Sequence, residues 1–155
     1  MKTDIGRGLG AGLLATIALS VLMVLKAAMG MMPAMNAIKM LTAMSHQIIG
    51  TTPHPLVGWV IHLLIGTVVW GGLFALVHDR LPGSSVVRGL VFGTAAWLLM
   101  MVLIMPMAGA GLFGLGIGIG APVATLVLHW VYGGVLGYAY AGLAARDGGV
   151  IPDHG

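Results

Sequence analysis

The chain has 155 residues, 59% of them hydrophobic and 7% charged, with 7 basic residues against 4 acidic ones and no cysteine. Soluble domains carry about a quarter charged residues, so this composition describes a single membrane domain over 1–155 and leaves no room for a soluble one. The absence of cysteine excludes disulfides, thiolate metal sites, Fe–S clusters and cysteine nucleophiles, and a small basic surplus without a basic patch suits membrane topology and argues against a nucleic-acid partner.

Crossing a hydrocarbon core takes about 20 apolar residues, and four stretches qualify: 5–29, 56–77, 89–107 and 121–143. The first follows Lys2 and Arg7 as a signal peptide would, but it is too long and lacks a small-residue cleavage site, so it is read as a retained span. In the first connection, Asn36, Lys39, Thr42 and His46 recur at helical spacing. That pattern predicts an interfacial amphipathic helix over 33–49, begun by Pro33, ended by Gly50 and lying flat on the outer leaflet. The second connection, 108–120, is uncharged and glycine-rich. It is expected to dip into the bundle, as a lid or as a short helix broken by glycine, because irregular backbone at that depth must be covered. A flexible tail follows over 144–155.

Four spans put both termini on one side, with Lys2, Arg7, Arg80, Arg88 and Arg146 there and Lys26 and Lys39 opposite. The positive-inside rule then gives a multi-pass protein of the bacterial inner membrane with both termini cytoplasmic. Lys26 is read as snorkelling to the outer interface.

An offset of 81 sets Arg7-Gly8-Leu9 on Arg88-Gly89-Leu90, Gly12 on Gly93 and Ala15 on Ala96, and an offset of 67 sets Pro55, Val60, His62 and Gly66 on Pro122, Val127, His129 and Gly133. The expected fold is therefore an all-α bundle of four transmembrane helices, made of two parallel-repeat hairpins related by an axis along the membrane normal. Gly8-x3-Gly12, Gly89-x3-Gly93 and Gly133-x3-Gly137 are helix-contact faces. They serve packing within the chain, the preferred reading, or contact with a second copy or a larger membrane complex.

An imidazole inside a span is costly and faces the bundle interior, which makes His62 and His129 the candidate site, expected at matched depth. Gly66 and Gly133, one turn on, either cut a notch beside each ring or let a helix press close. Rings facing across a notch would suit haem b ligation; otherwise each ring bonds to a neighbouring helix. Most of the 12 methionines lie toward the outer side, and thioethers with imidazoles suit Cu(I). Met101 and Met105 with His62 and His129 would form such a site, although methionine as apolar filler is the preferred reading. His54, His78 and His154 are read as solvated. Every aspartate lies outside the spans, and there is no paired-carboxylate site, P-loop, GxSxG or HExxH, so the chain is read as no enzyme.

The R-G-L-x2-G at both hairpin starts, the central P-M-A-G-A-G-L-F-G-L-G and the late L-H-W-V-Y-G-G-V-L-G resemble a family of small, uncharacterised bacterial four-helix membrane proteins. The resemblance covers almost the whole chain and implies no activity, cofactor or catalytic residue. The function read from the residues is structural or accessory, acting through helix contacts within membrane lipid. The alternatives are a haem- or copper-binding protein with an outer-leaflet His/Met site, and a small pore or carrier for an uncharged or hydrophobic solute.

Overall fold

Local signals set the helix ends. Asp4 caps α1 (Ile5–Ala28), its carboxylate accepting from the Arg7 N–H at 2.9 Å. Asn36 caps α2 (Ala37–Ile49) through the Lys39 N–H at 3.0 Å, and Gly50, with φ of 69°, ends it in the left-handed conformation that glycine tolerates. His54 and Pro55 open α3 (Pro55–Arg80). Ser84 caps α4 (Ser85–Met107), four residues before the expected start, and α5 (Ala121–Gly148) closes the chain.

The computed structural model describes residues 4–31 and 36–148, and every regular element among these is helical. Four helices are long and apolar enough to cross a membrane. The expected tail is corrected in part: α5 stays helical to Gly148, with Arg146 in its last turn, where a cation complements the helix dipole. Residues 149–155 and Pro33 lie outside the described residues.

Helices α1 and α3 pack together, as do α4 and α5, and α1 also lies along α5. Glycine backbones form the two hairpin seams. Gly8 meets Gly71, and Gly12 meets the carbonyls of Gly66 and Thr67; in the second hairpin Gly89 meets Gly133, and Gly93 meets the His129 carbonyl. The predicted small-residue faces are thus used within the chain, where close backbone approach gains dispersion contacts that lipid cannot supply. Aligned on these contacts, Gly71 takes the place of Gly133 and Thr67 that of His129, an offset of 62 (133 − 71). The offset of 67 is therefore not the packing register. His62 and His129 occupy different places in their seams, contrary to the expected match. Between the hairpins, Phe74, Phe92, Tyr132, Leu136 and Tyr140 close around Ala11 and Ala15.

Two π-helical turns interrupt the spans, at Ile65–Trp70 in α3 and Met100–Ile104 in α4. The second has a visible cause: Pro106 lacks an N–H and its ring would strike the carbonyl four residues back, so the helix widens just before it. The first frees room at the Gly66 carbonyl, which takes the Gly71 N–H and also the Tyr132 hydroxyl at 2.5 Å.

Residues 108–120 fold as a chain of turns, with one 3-10 turn at Leu112–Gly114. Gly109, Gly111, Gly114 and Phe113 all take positive φ. The N–H groups of Ala108, Gly109, Ala110, Gly114, Leu115, Gly116 and Ile117 donate to carbonyls within the segment or the end of α4, so these amides are satisfied locally. Helix α2 buries Ile38, Thr42 and Ser45. Thr42, expected on the polar stripe, turns inward, donates to the Ile38 carbonyl at 2.8 Å and sits on Gly58 of α3.

Candidate functional site

His62 reaches from α3 to α1, where its Nε2 lies 3.2 Å from Ser20 Oγ. Ser20 donates its only hydroxyl hydrogen to the Thr16 carbonyl at 2.7 Å. The imidazole must therefore donate through Nε2, leaving the Nδ1 lone pair in the neutral ring. Trp59 meets the ring edge-on, with centroids 5.9 Å apart. Gly66, one turn on, is the seat of Thr16: the glycine lets a helix press close and cuts no notch for the imidazole.

His129 takes the opposite tautomer. Its Nδ1 lies 2.8 Å from the Thr125 carbonyl on its own helix, and a carbonyl only accepts, so Nδ1 carries the hydrogen. Thr125 Oγ1 lies 4.0 Å from Met101 Sδ, and Trp97 Nε1 donates to it at 3.1 Å. Met101 is fully buried and Met105 is 4% exposed, with Met105 packed beneath Gly114. Gly133 is held against Gly89. The structure thus gathers His129 and Met101 around Thr125 on the α4–α5 side and leaves His62 with Ser20 in the α1–α3 seam. Among the described residues no three His or Asp side chains gather as a metal cluster.

These bonds are interhelical or local polar contacts in an apolar setting. Replacing Ser20 by alanine is expected to cost about 0.6 kcal/mol and no more than about 1.7 kcal/mol. Unfolding of the detergent-solubilised variant by titrated SDS measures it.

A polar cluster that sequence reading missed lies where α3 ends. His78, expected in solvent, is 8% exposed. Its Nε2 is 2.9 Å from Ser85 Oγ, its Nδ1 is 2.9 Å from Asp79 Oδ1, and Arg88 approaches both that nitrogen at 3.2 Å and Asp79 at 3.5 Å. Nδ1 cannot donate to Asp79 and accept from Arg88 together, so the arrangement is consistent when Nδ1–H donates to Asp79 and Arg88 pairs with the same carboxylate. The ring lies on Tyr140 at 4.4 Å, and Arg7 sits 5.9 Å from that phenol ring. One cluster ties together the ends of all four spans. The turn residues Pro82 and Gly83 were its available signal, since a tight turn there brings Ser85 back beside His78.

One outward face of α5 also stands apart. Tyr138 is 74% exposed, and its hydroxyl has no hydrogen-bond partner among the described residues. Ala141, Gly142 and Ala145 lie exposed beside it, and a Cβ at Gly142 would meet nothing. Elsewhere the exposed faces of the spans carry chiefly Leu, Val and Ile, such as Leu14, Val21, Leu64, Val68, Leu99 and Leu103, and Trp130, also exposed on α5, donates its Nε1–H to Thr94 at 2.9 Å.

The model of a family of unknown function, DUF6789, matches residues 2–149. No curated protein and no solved structure matches the chain.

Proposed function

We propose that this chain, which belongs to the DUF6789 family, acts as a non-enzymatic membrane protein of structural or accessory type that receives a partner transmembrane helix on α5. The observation that carries this reading is Tyr138, exposed at 74% with Ala141, Gly142 and Ala145 exposed along the next two turns. It lies eight residues before Arg146, about 12 Å along the helix. Helical side chains lean toward the helix N-terminus, so the phenol leans away from the Arg146 end and deeper into hydrocarbon. An interfacial tyrosine would do the opposite. Lipid tails offer the hydroxyl no acceptor, and an unsatisfied polar group there costs several kcal/mol. A partner helix supplies an acceptor, and Ala141, Gly142 and Ala145 let it come close.

The packing of the interior supports the same reading. Glycine backbones and aromatic rings fill the space between the spans, and the faces left for a partner are outward ones. In this reading the five-to-two distribution of Lys and Arg sets the termini in the cytoplasm of a bacterium. The hairpins form a parallel repeat, a view supported by the like roles of Gly8 with Gly89 and Gly12 with Gly93. Helix α2 lies at the outer interface.

Blue native electrophoresis after mild detergent extraction tests the contact. The wild type is expected to migrate as an assembly larger than the 15.9 kDa chain, and Tyr138→Leu is expected to migrate as the single chain. Equal mobility of the two would defeat the proposal.

A further inference from the structure

We infer that the groove between α2 and the 108–117 turns is a binding site for one anionic phospholipid, whose phosphate is held by Lys39. This inference stands apart from the α5 contact. The groove encloses about 500 Å³, within the range of small-ligand sites. One wall is a single face of α2, carrying Asn36, Lys39, Met40, Met44 and Gln47; the opposite wall is the turn backbone with Ile117. Position selects a membrane occupant. The groove joins the segments that link α1 to α3 and α4 to α5, so it lies at the ends of the spans opposite the termini, the level of lipid phosphates.

Charge selects the headgroup. The acidic residues among the described ones, Asp4, Asp79 and Asp147, fall at the other end of the spans. Lys39 is exposed and lines the groove. Among the described residues no carboxylate lies at this end of the spans to pair with its ammonium, and a bound anion supplies the complementary charge. Asn36 uses its side-chain oxygen to cap Lys39 N, which leaves the amide N–H groups to donate into the groove. Such a wall offers a cation and neutral donors but no carboxylate. A phosphate diester is satisfied there, whereas the ammonium of a zwitterionic headgroup would find no counter-charge. The apolar part of the wall, Met40, Met44 and Ile117, matches the start of the acyl chains, and thioethers adapt to irregular shapes.

Native mass spectrometry of the detergent-purified full chain, mixed with dioleoylphosphatidylglycerol or dioleoylphosphatidylcholine, tests this. One phosphatidylglycerol is expected per chain, retained about fivefold over phosphatidylcholine, the weight of one basic residue near anionic lipid. Lys39→Gln is expected to erase that preference and Lys39→Arg to keep it. Ala43→Phe, on the exposed groove face of α2, is expected to block retention without removing the charge. Arg80→Gln, at the opposite end, serves as the control and should behave as wild type. Equal retention of the two lipids, or an unchanged preference in Lys39→Gln, overturns the site. Competition by glycerol phosphate alone would make the ligand a soluble phosphate and overturn the lipid assignment.

Discussion

Alanine at Gly133 is expected to destabilise the bundle by about 1–3 kcal/mol, as overpacking does when backbones must separate. The added methyl would fall on the carbonyl of Gly89 and close to the Gly93 Cα, and a carbonyl in a helix cannot swing aside as a side chain can. Alanine also favours a helix over glycine by about 1 kcal/mol, so the measured loss is what remains after that gain. Gly72→Ala in α3 supplies the contrast: nothing lies within 4 Å of its Cβ position, and this variant should be as stable as wild type or more so. Titration with SDS followed by far-ultraviolet circular dichroism measures both. Equal stability of the two variants would mean that the α4–α5 seam is looser than described.

Phe74→Ala is expected to be the most damaging change of a side chain, at about 3 kcal/mol, the lower end for buried phenylalanine. The lower end applies because lipid is as apolar as the core, so the lost free energy is mainly dispersion around an unfilled cavity. Phe74 is fully buried and meets Phe92 at 5.3 Å, Tyr140 at 5.5 Å and His78 at 5.3 Å, all edge-on. It links the two hairpins and supports the polar cluster at the end of α3. A double-mutant cycle with Phe92→Ala should return a coupling of about 0.5–1.5 kcal/mol. Val68→Ala, on an exposed face, should stay within about 0.5 kcal/mol of wild type. The same SDS titration reads all of these.

Much of this fold was legible because hydropathy and capping are local. The spans followed from apolar length, and Gly50 marked the end of α2, whereas Asn36, read as part of its polar face, is the residue that caps its start. Gly8, Gly12, Gly89, Gly93 and Gly133 announced helix contacts by spacing alone, and these are the contacts made. Their register was not legible. Packing sets α3 five residues (67 − 62) from the register that the repeated Pro-x4-Val-x-His pattern suggests; the π-helical turn at Ile65–Trp70 accounts for one of them, and the pattern gives no sign of either. His62 and His129 therefore looked equivalent and are not: one bonds across to Ser20, the other back to Thr125. Proline at 106 was the one local warning of a widened turn. The burial of His78 beside Phe74, one turn back on its own helix, depends on Tyr140 from α5 and Arg88 from α4 closing over it, and no short window along the chain reports Tyr140. Tyr138 was equally hidden, because its exposure is a property of the assembled faces.

A photoreactive benzoylphenylalanine at position 138, irradiated in native membranes, probes that face directly. Cross-linking to protein, either a second copy or another membrane polypeptide, is the predicted result, with a probe at Val68 on the aliphatic face of α3 labelling lipid only. Lipid adducts alone at position 138, indistinguishable from those at 68, would contradict the assignment of α5 as a docking helix.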